Sequence, residues 1–66
     1  SSDEIAVLYW IGQGKTNGEI GLILEIATGT VKKRLGDIYQ LLGVENRVGA
    51  AGYAREFLPE SLACAQ

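Results

Sequence analysis

Residues 28–42, with the sequence TGTVKKRLGDIYQLL, carry the pattern that decides the fold of this 66-residue chain. Its apolar residues recur at spacings of four, three and four: Val31, Leu35, Ile38 and Leu42. Because successive residues of an α-helix are about 100° apart, these side chains lie within one narrow arc. The stretch is therefore predicted to be an amphipathic helix, with Thr28 as its N-terminal cap and Gly43 directly after its end.

The face of this helix opposite the apolar stripe is polar and partly basic. It carries Lys33, Gly36, Asp37 and Gln40, with Lys32 and Arg34 at its edges. The run Lys32-Lys33-Arg34 is the only dense basic cluster in a chain whose net charge is −2. Taken alone, such a run fits either a phosphate-binding surface near a helix N-terminus or a solvated charged face.

A second helix is predicted immediately before this one. Thr16-Asn17-Gly18-Glu19 has the capping-box pattern, in which the first and last side chains bond each other's backbone amides. The helix should run to about Leu24, and Gly21 within it should have a packing reason, because glycine weakens a helix. Glu25-Ile26-Ala27 then forms a short break. Two helices joined in this way fit helix-turn-helix geometry.

Two more helices complete the predicted domain. Ser1-Ser2-Asp3-Glu4 is another capping-box pattern, and the first helix should run from about 2 to 13, before a left-handed Gly14. Its apolar side is either Ile5, Leu8 and Ile11 or Val7 and Trp10. A fourth helix should run from about Arg47 to residue 57 or 58, where Pro59 stops it. We therefore expect a compact all-α domain of four helices over residues 1–66, with its core at about 1–58 and a frayed tail at 59–66.

The composition excludes several classes of function. The chain has no histidine and a single cysteine, Cys64, so it lacks the commonest general base and cannot form a disulfide framework. Its carboxylates do not pair into an acid/base site. No run approaches the roughly 20 apolar residues that cross a bilayer. We expect no catalytic residue, no metal, no cofactor and no membrane contact, in a chain that is a fragment of a longer protein.

Several segments of the chain resemble the LuxR/GerE family of helix-turn-helix DNA-binding domains. Residues 13–20, QGKTNGEI, resemble the family's Q-G-x-[ST]-N-x-E-I segment, and residues 29–32, GTVK, resemble its T-V-K signature. Ile38-Tyr39, Leu42-Gly43-Val44 and Asn46-Arg47 match the I-x-x-K-L-G-V-x-N-R stretch, although Leu41 replaces a usual basic residue. The resemblance covers about residues 4–53, which is most of the chain.

This resemblance implies a domain that binds double-stranded DNA, with the third helix in the major groove. Such domains form the C-terminal part of bacterial transcription regulators, including response regulators, and they act in the cytoplasm. An N-terminal receiver or ligand-binding domain usually precedes them. The fourth helix often mediates homodimerisation, and RNA polymerase is a candidate partner.

The residues predicted to bind DNA follow from the matched positions. Lys32, Lys33 and Gly36 match family positions that commonly reach base edges. Backbone contacts are expected from Arg34, Thr30, Lys15 and Asn17, while Thr16 should cap the second helix and can also reach a phosphate. Arg47 should either hydrogen-bond helix ends or touch phosphate, and the structural role is favoured.

Two alternatives stay open at this point. Ala50, Ala51 and Ala54 fit either a dimer surface or packing onto the first helix. Leu22, Leu41 and Tyr9 lie at the edge of the predicted core faces, and a contiguous apolar patch there would favour a degenerate helix-turn-helix that binds protein. Because Gly36 has no side chain and Asp37 is acidic, we expect weak DNA binding by an isolated monomer.

Overall fold

The computed structural model describes the backbone of residues 2–65 and the side chains of residues 3–62. Within that range the chain forms no strand, and its helices are α1 (Ser2–Gly12), α2 (Asn17–Leu24), α3 (Thr28–Leu42), α4 (Arg47–Phe57) and a 3-10 helix (Glu60–Ala65). The domain measures 27 × 25 × 20 Å. The predicted compact all-α architecture of four α-helices is confirmed. The capping box predicted at the start of the chain begins at Ser1, which lies outside the described residues.

The apolar stripe of α3 is buried, as its spacing predicts. Val31, Leu35 and Ile38 are at most 4% exposed, and the half-buried Leu42 packs against the same cluster. The other three helices complete the cluster with Val7, Leu8, Ile11, Ile20, Ala50 and Ala54. Burial of apolar side chains from all four α-helices in a single cluster is what stabilises their arrangement.

Exposure along α1 differs from the prediction at two residues. Tyr9, predicted at the edge of the core, is 6% exposed, and its ring meets the edge of the Trp10 ring with centroids 5.0 Å apart. Ile5, predicted on one of two candidate apolar sides, is 48% exposed. Since α1 is apolar around most of its circumference, its periodicity does not define a single buried side. The neighbouring helices decide which residues are buried.

The break between α2 and α3 has the predicted length. Glu25 ends α2 with a left-handed φ of 59°, and its amide and that of Ile26 both donate to the carbonyl oxygen of Gly21. A Cβ on Gly21 would lie 2.8 Å from the carbonyl oxygen of Ile26, which is the packing reason for glycine there. The prediction that Thr28 caps α3 is wrong. Ala27 holds the extended N-cap conformation, and Thr28 is already helical.

Helix α4 packs closely on α1 through small residues. Ala50 and Ala54 are 0% and 3% exposed, and a Cβ on Gly12 would lie 2.7 Å from the Cβ of Ala54. The assignment of these two alanines to a dimer surface is therefore corrected, because both side chains lie inside the domain. Ala51 is half-buried and packs against the same core.

The segment after α4, which the sequence predicts as a frayed tail, contains a 3-10 helix (Glu60–Ala65). Leu58 packs against the core, and the amide of Leu62 donates to the carbonyl oxygen of Pro59 at 3.2 Å. The 3-10 helix that follows Pro59 contacts α1. This packing could not be read from the short segment itself, because it depends on contact with a helix that is distant in the chain. The side chain of Cys64 lies outside the described residues.

Candidate nucleic-acid interface

The outer face of α3 presents two lysines to solvent. Lys32 and Lys33 are exposed, as are Gly36 and Gln40, while Asp37 is half-buried. Among the described residues neither lysine forms an ion pair, so both ammonium groups are available to an outside anion. The structure therefore brings together the predicted base-contacting positions Lys32, Lys33 and Gly36 on one accessible surface.

The N-terminus of α3 is open. Its N-cap, Ala27, makes no side-chain hydrogen bond to the helix, whereas the amides of Thr30 and Val31 donate to the Ala27 carbonyl oxygen at 2.9 and 3.1 Å. The amides of Thr28 and Gly29, the first two helical residues, have no intrahelical acceptor, and the N-cap side chain offers them none. Together with the helix dipole they favour an anion directly beside Lys32 and Lys33.

The start of α2 is closed by its own side chains. The Thr16 amide donates to Oε1 of Glu19 at 2.8 Å, and the Glu19 amide donates to Oγ1 of Thr16 at 3.1 Å, which confirms the predicted capping box. The bond from the Thr16 backbone amide is the main cause that lowers the pKa of the Glu19 carboxyl, helped by the Thr16 hydroxyl. Thr16 therefore acts first as a cap, because its side chain is already bonded to Glu19.

Arg47, the first residue of α4, holds the beginning of α2. Its Nη1 donates to Oδ1 of Asn17 at 2.7 Å, and its Nη2 donates to the carbonyl oxygen of Lys15. Asn46 caps α4 by accepting from the Gly49 amide at 3.2 Å, which positions Arg47 in the first turn. This geometry is the structural role that the sequence favours for Arg47. It leaves the side-chain NH₂ of Asn17 and the ammonium of Lys15 for outside partners.

Arg34 is separated from its two basic neighbours. Its side chain is 30% exposed, and its Nη2 lies 3.9 Å from Oδ2 of Asp3 in α1. Its Nε is buried without a hydrogen-bond partner among the described residues. The 100° turn per residue carries Arg34 from the outer face of α3 to the edge that meets α1. Sequence adjacency to Lys32 and Lys33 therefore overstates how closely the three charges cluster.

Sequence reasoning missed an apolar cleft between α1, α3 and α4. The cleft holds about 280 Å³ and is lined by Glu4, Ile5, Leu8, Ile38, Leu41, Leu42, Tyr53 and Leu58. Leu41 is 73% exposed beside it, which agrees with its predicted place outside the core. No local sequence pattern predicts the cleft, because its walls come from three helices and the segment after α4.

Other kinds of site find little support in the described part of the chain. No group of three or more His, Cys, Asp or Glu residues there is arranged to hold a metal ion. None of the described helices has the length and hydropathy needed to cross a membrane.

Comparison with known proteins agrees with the helix-turn-helix geometry. The family of bacterial regulatory proteins named luxR (GerE) matches residues 1–54. The chain is 52% identical to the transcriptional activator protein ExpR of Pectobacterium parmentieri over 46 residues, which are 70% of this chain and 19% of that protein. It is 43% identical to the transcriptional activator protein PhzR of Pseudomonas fluorescens over 54 residues, 82% of this chain and 22% of that protein.

The relatives also include a protein that is named as a transcriptional regulatory protein. The chain is 45% identical to the transcriptional regulatory protein LiaR of Bacillus subtilis (strain 168) over 51 residues, 77% of this chain and 24% of that protein. The chain thus spans about a fifth to a quarter of the length of these three relatives. No solved structure gives a significant match to it.

The family match covers most of the chain, and the helices that it covers include the pair α2 and α3 with the exposed Lys32 and Lys33. The family consists of regulatory proteins, which confirms that the chain is not an enzyme. The chain belongs to the luxR family of bacterial regulatory proteins, in which it is a helix-turn-helix DNA-binding domain.

Proposed function

We propose that this domain recognises specific sites in double-stranded DNA by laying α3 in the major groove. The observation that carries the proposal is the open N-terminus of α3, with Lys32 and Lys33 exposed directly after it. The major groove of B-DNA is about 12 Å wide and admits an α-helix. In helix-turn-helix proteins the N-terminal residues of the second helix reach the base edges.

Each predicted contact has a role in this arrangement. Lys32 and Lys33 reach bases or phosphates, and the backbone at Gly36 lies against the groove. The first amides of α3, with Thr30, hold a phosphate of one strand.

The remaining contacts fix the register on the DNA backbone. A phosphate near the start of α2 is within reach of Lys15, the Thr16 side chain and the side-chain NH₂ of Asn17. Arg34 extends the basic edge of α3. Arg47 acts through Lys15 and Asn17, since its guanidinium determines where both residues lie.

The domain works within a longer regulator that binds DNA as a homodimer. Two observations support this proposal: the relatives are four to five times as long as the matched part, and Val48 on α4 is 77% exposed. Pairing two half-sites compensates for weak monomeric binding by a domain of net charge −2. The rest of the regulator supplies a regulatory domain in the bacterial cytoplasm, and RNA polymerase is a partner.

Fluorescence anisotropy with a labelled random duplex tests DNA binding at low and at moderate salt. The wild-type chain should bind in a salt-sensitive manner. Lys32→Ala and Lys33→Ala should each reduce the slope of log affinity against log salt by about 1, without loss of helical content. Arg55→Ala is the matched control, because it removes one exposed positive charge from α4. Unchanged slopes in both lysine variants would refute the assignment of α3.

A second candidate function is a protein-interaction module. The apolar cleft of about 280 Å³ and the 73% exposure of Leu41 favour it. The same anisotropy series separates the two candidates. Absence of binding at low salt and high protein concentration would favour the interaction module over the DNA-binding function.

A further inference from the structure

We propose that Gln40 reads a base pair, and that Gly36 brings α3 close enough to the groove for it to do so. This inference rests on the proposed function, since it requires α3 to lie in the major groove. It adds a specificity-determining residue one turn beyond the positions that the basic cluster and the family resemblance identify.

Gln40 lies on the same outer face of α3 as Lys33. The two residues are seven positions apart, so their side chains leave the helix at nearly the same angle. Both are exposed, and the side-chain amide of Gln40 has no hydrogen-bond partner among the described residues. At 1.5 Å per residue they are about 10 Å apart along the axis, which is roughly the rise of three base pairs. One helix face therefore spans two separate reading positions.

Gly36 lies between these two residues, and the fold itself does not require a glycine there. A Cβ built on Gly36 would meet nothing within 4 Å, whereas a Cβ on Gly21 would lie 2.8 Å from a backbone oxygen. Glycine weakens a helix interior relative to alanine, so Gly36 lowers the stability of α3 without any packing gain inside the domain. The glycine is explained if an outside surface approaches α3 closely at this position. Under the proposed function, that surface is the major groove.

The chemistry of Gln40 predicts which base it selects. A glutamine amide has both a donor and an acceptor, which match N7 and N6 of adenine in a bidentate pair. Lysine carries donors only and matches the acceptors of guanine. Gln40 should therefore select adenine about three base pairs from the contact of Lys33. Because the side chain is neutral, this preference should not depend on counterion release.

The first test compares selected binding sites. The wild-type chain, Gln40→Ala and Gln13→Ala are each used to select from a randomised duplex, and anisotropy then measures single base-pair substitutions in the selected site. Gln13→Ala is the matched control, because it removes an exposed glutamine that precedes α2. Gln40→Ala should lose a discrimination of about 5- to 150-fold at a single A·T pair. Its salt slope should equal that of the wild type.

The second test uses Gly36→Ala, with Gly52→Ala as its control at an equally open helical position in α4. Both variants should melt at a higher temperature than the wild type, because alanine favours the helix. Gly36→Ala alone should bind the selected half-site about fivefold or more weakly, because its methyl group holds α3 away from the groove.

The outcomes distinguish this inference from the function on which it rests. If Gln40→Ala keeps the wild-type base preference, or Gly36→Ala keeps the wild-type affinity, the inference is overturned while DNA binding stands. If the wild-type chain binds DNA without any base preference, the role of Gln40 is overturned as well. If it does not bind DNA at all, both proposals fail together.

Discussion

The Nη1 atom of Arg47 donates a 2.7 Å hydrogen bond to Oδ1 of Asn17, thirty residues earlier in the chain. The bond ties the first turn of α4 to the first turn of α2, and a second bond from the same guanidinium reaches the Lys15 carbonyl oxygen. Helix α2 in turn packs against α3, and its Gly21 lies directly against the turn between them. The placement of the helix-turn-helix pair therefore depends on a side chain outside it.

Removal of the two hydrogen bonds from the Arg47 guanidinium should destabilise the domain. Arg47→Ala should lower the free energy of unfolding by about 1.5–3 kcal/mol, because two oxygens lose a charged donor in a partly buried place. Arg47→Lys should recover little, since an ammonium cannot reproduce the forked geometry. Urea denaturation measures both variants against Arg55→Ala, which should stay within about 0.5 kcal/mol of the wild type. An unchanged midpoint for Arg47→Ala would show that the contact contributes nothing to stability.

The capping box of α2 should make stability depend on pH. The folded domain holds the pKa of Glu19 below its ordinary value of 4.5, through the amide and hydroxyl of Thr16. A carboxyl with a depressed folded pKa contributes stability that is fully present above its unfolded pKa and is lost as pH falls through the folded one. The advantage of the wild type over Glu19→Gln should therefore be constant near neutral pH and shrink below about pH 4.5.

Urea midpoints of the two proteins across this pH range check the prediction. Thr16→Ala is a useful comparison variant, because it removes the cap itself. It should lower the free energy of unfolding by about 1 kcal/mol at neutral pH. Parallel pH profiles for the wild type and Glu19→Gln would contradict the assigned role of the carboxylate.

A methyl group at Gly21 should disturb the turn between α2 and α3. The added Cβ would lie 2.8 Å from the Ile26 carbonyl oxygen, so the backbone of the turn would have to move. Gly21→Ala should therefore lower the free energy of unfolding by about 1–3 kcal/mol. Gly52→Ala, with open space at its Cβ, should instead stabilise by up to about 1 kcal/mol. Thermal unfolding of the pair checks the opposite signs, and equal shifts would disprove the close contact.

The exposed surface of α4 should carry the proposed dimer contact. Val48 is 77% exposed, so Val48→Glu leaves the core intact while it places a charge on that surface. The variant should lose cooperative binding to paired half-sites and retain its affinity for a single half-site. Leu22→Glu is the control, because Leu22 is 82% exposed on α2. Cooperative binding by Val48→Glu equal to that of the control would place any dimer contact elsewhere.

The local features of this domain were determined by its sequence alone. The spacing of Val31, Leu35 and Ile38 defined α3, Thr16 with Glu19 defined the start of α2, and Gly43 ended α3 with a φ of 70°. Such signals act within one or two turns, because helix caps and apolar periodicity involve residues close together in the chain. The motifs that indicate the family are short for the same reason.

Only the tertiary structure decided which of several compatible partners each side chain meets. It buried Tyr9, Ala50 and Ala54, turned Arg34 toward Asp3 and brought Arg47 to Asn17. It also formed the apolar cleft beside Leu41. These outcomes depend on distances between residues far apart in the chain. Helical periodicity places a residue on a face, but the helix that packs against that face determines whether the residue is buried, paired or left available for binding.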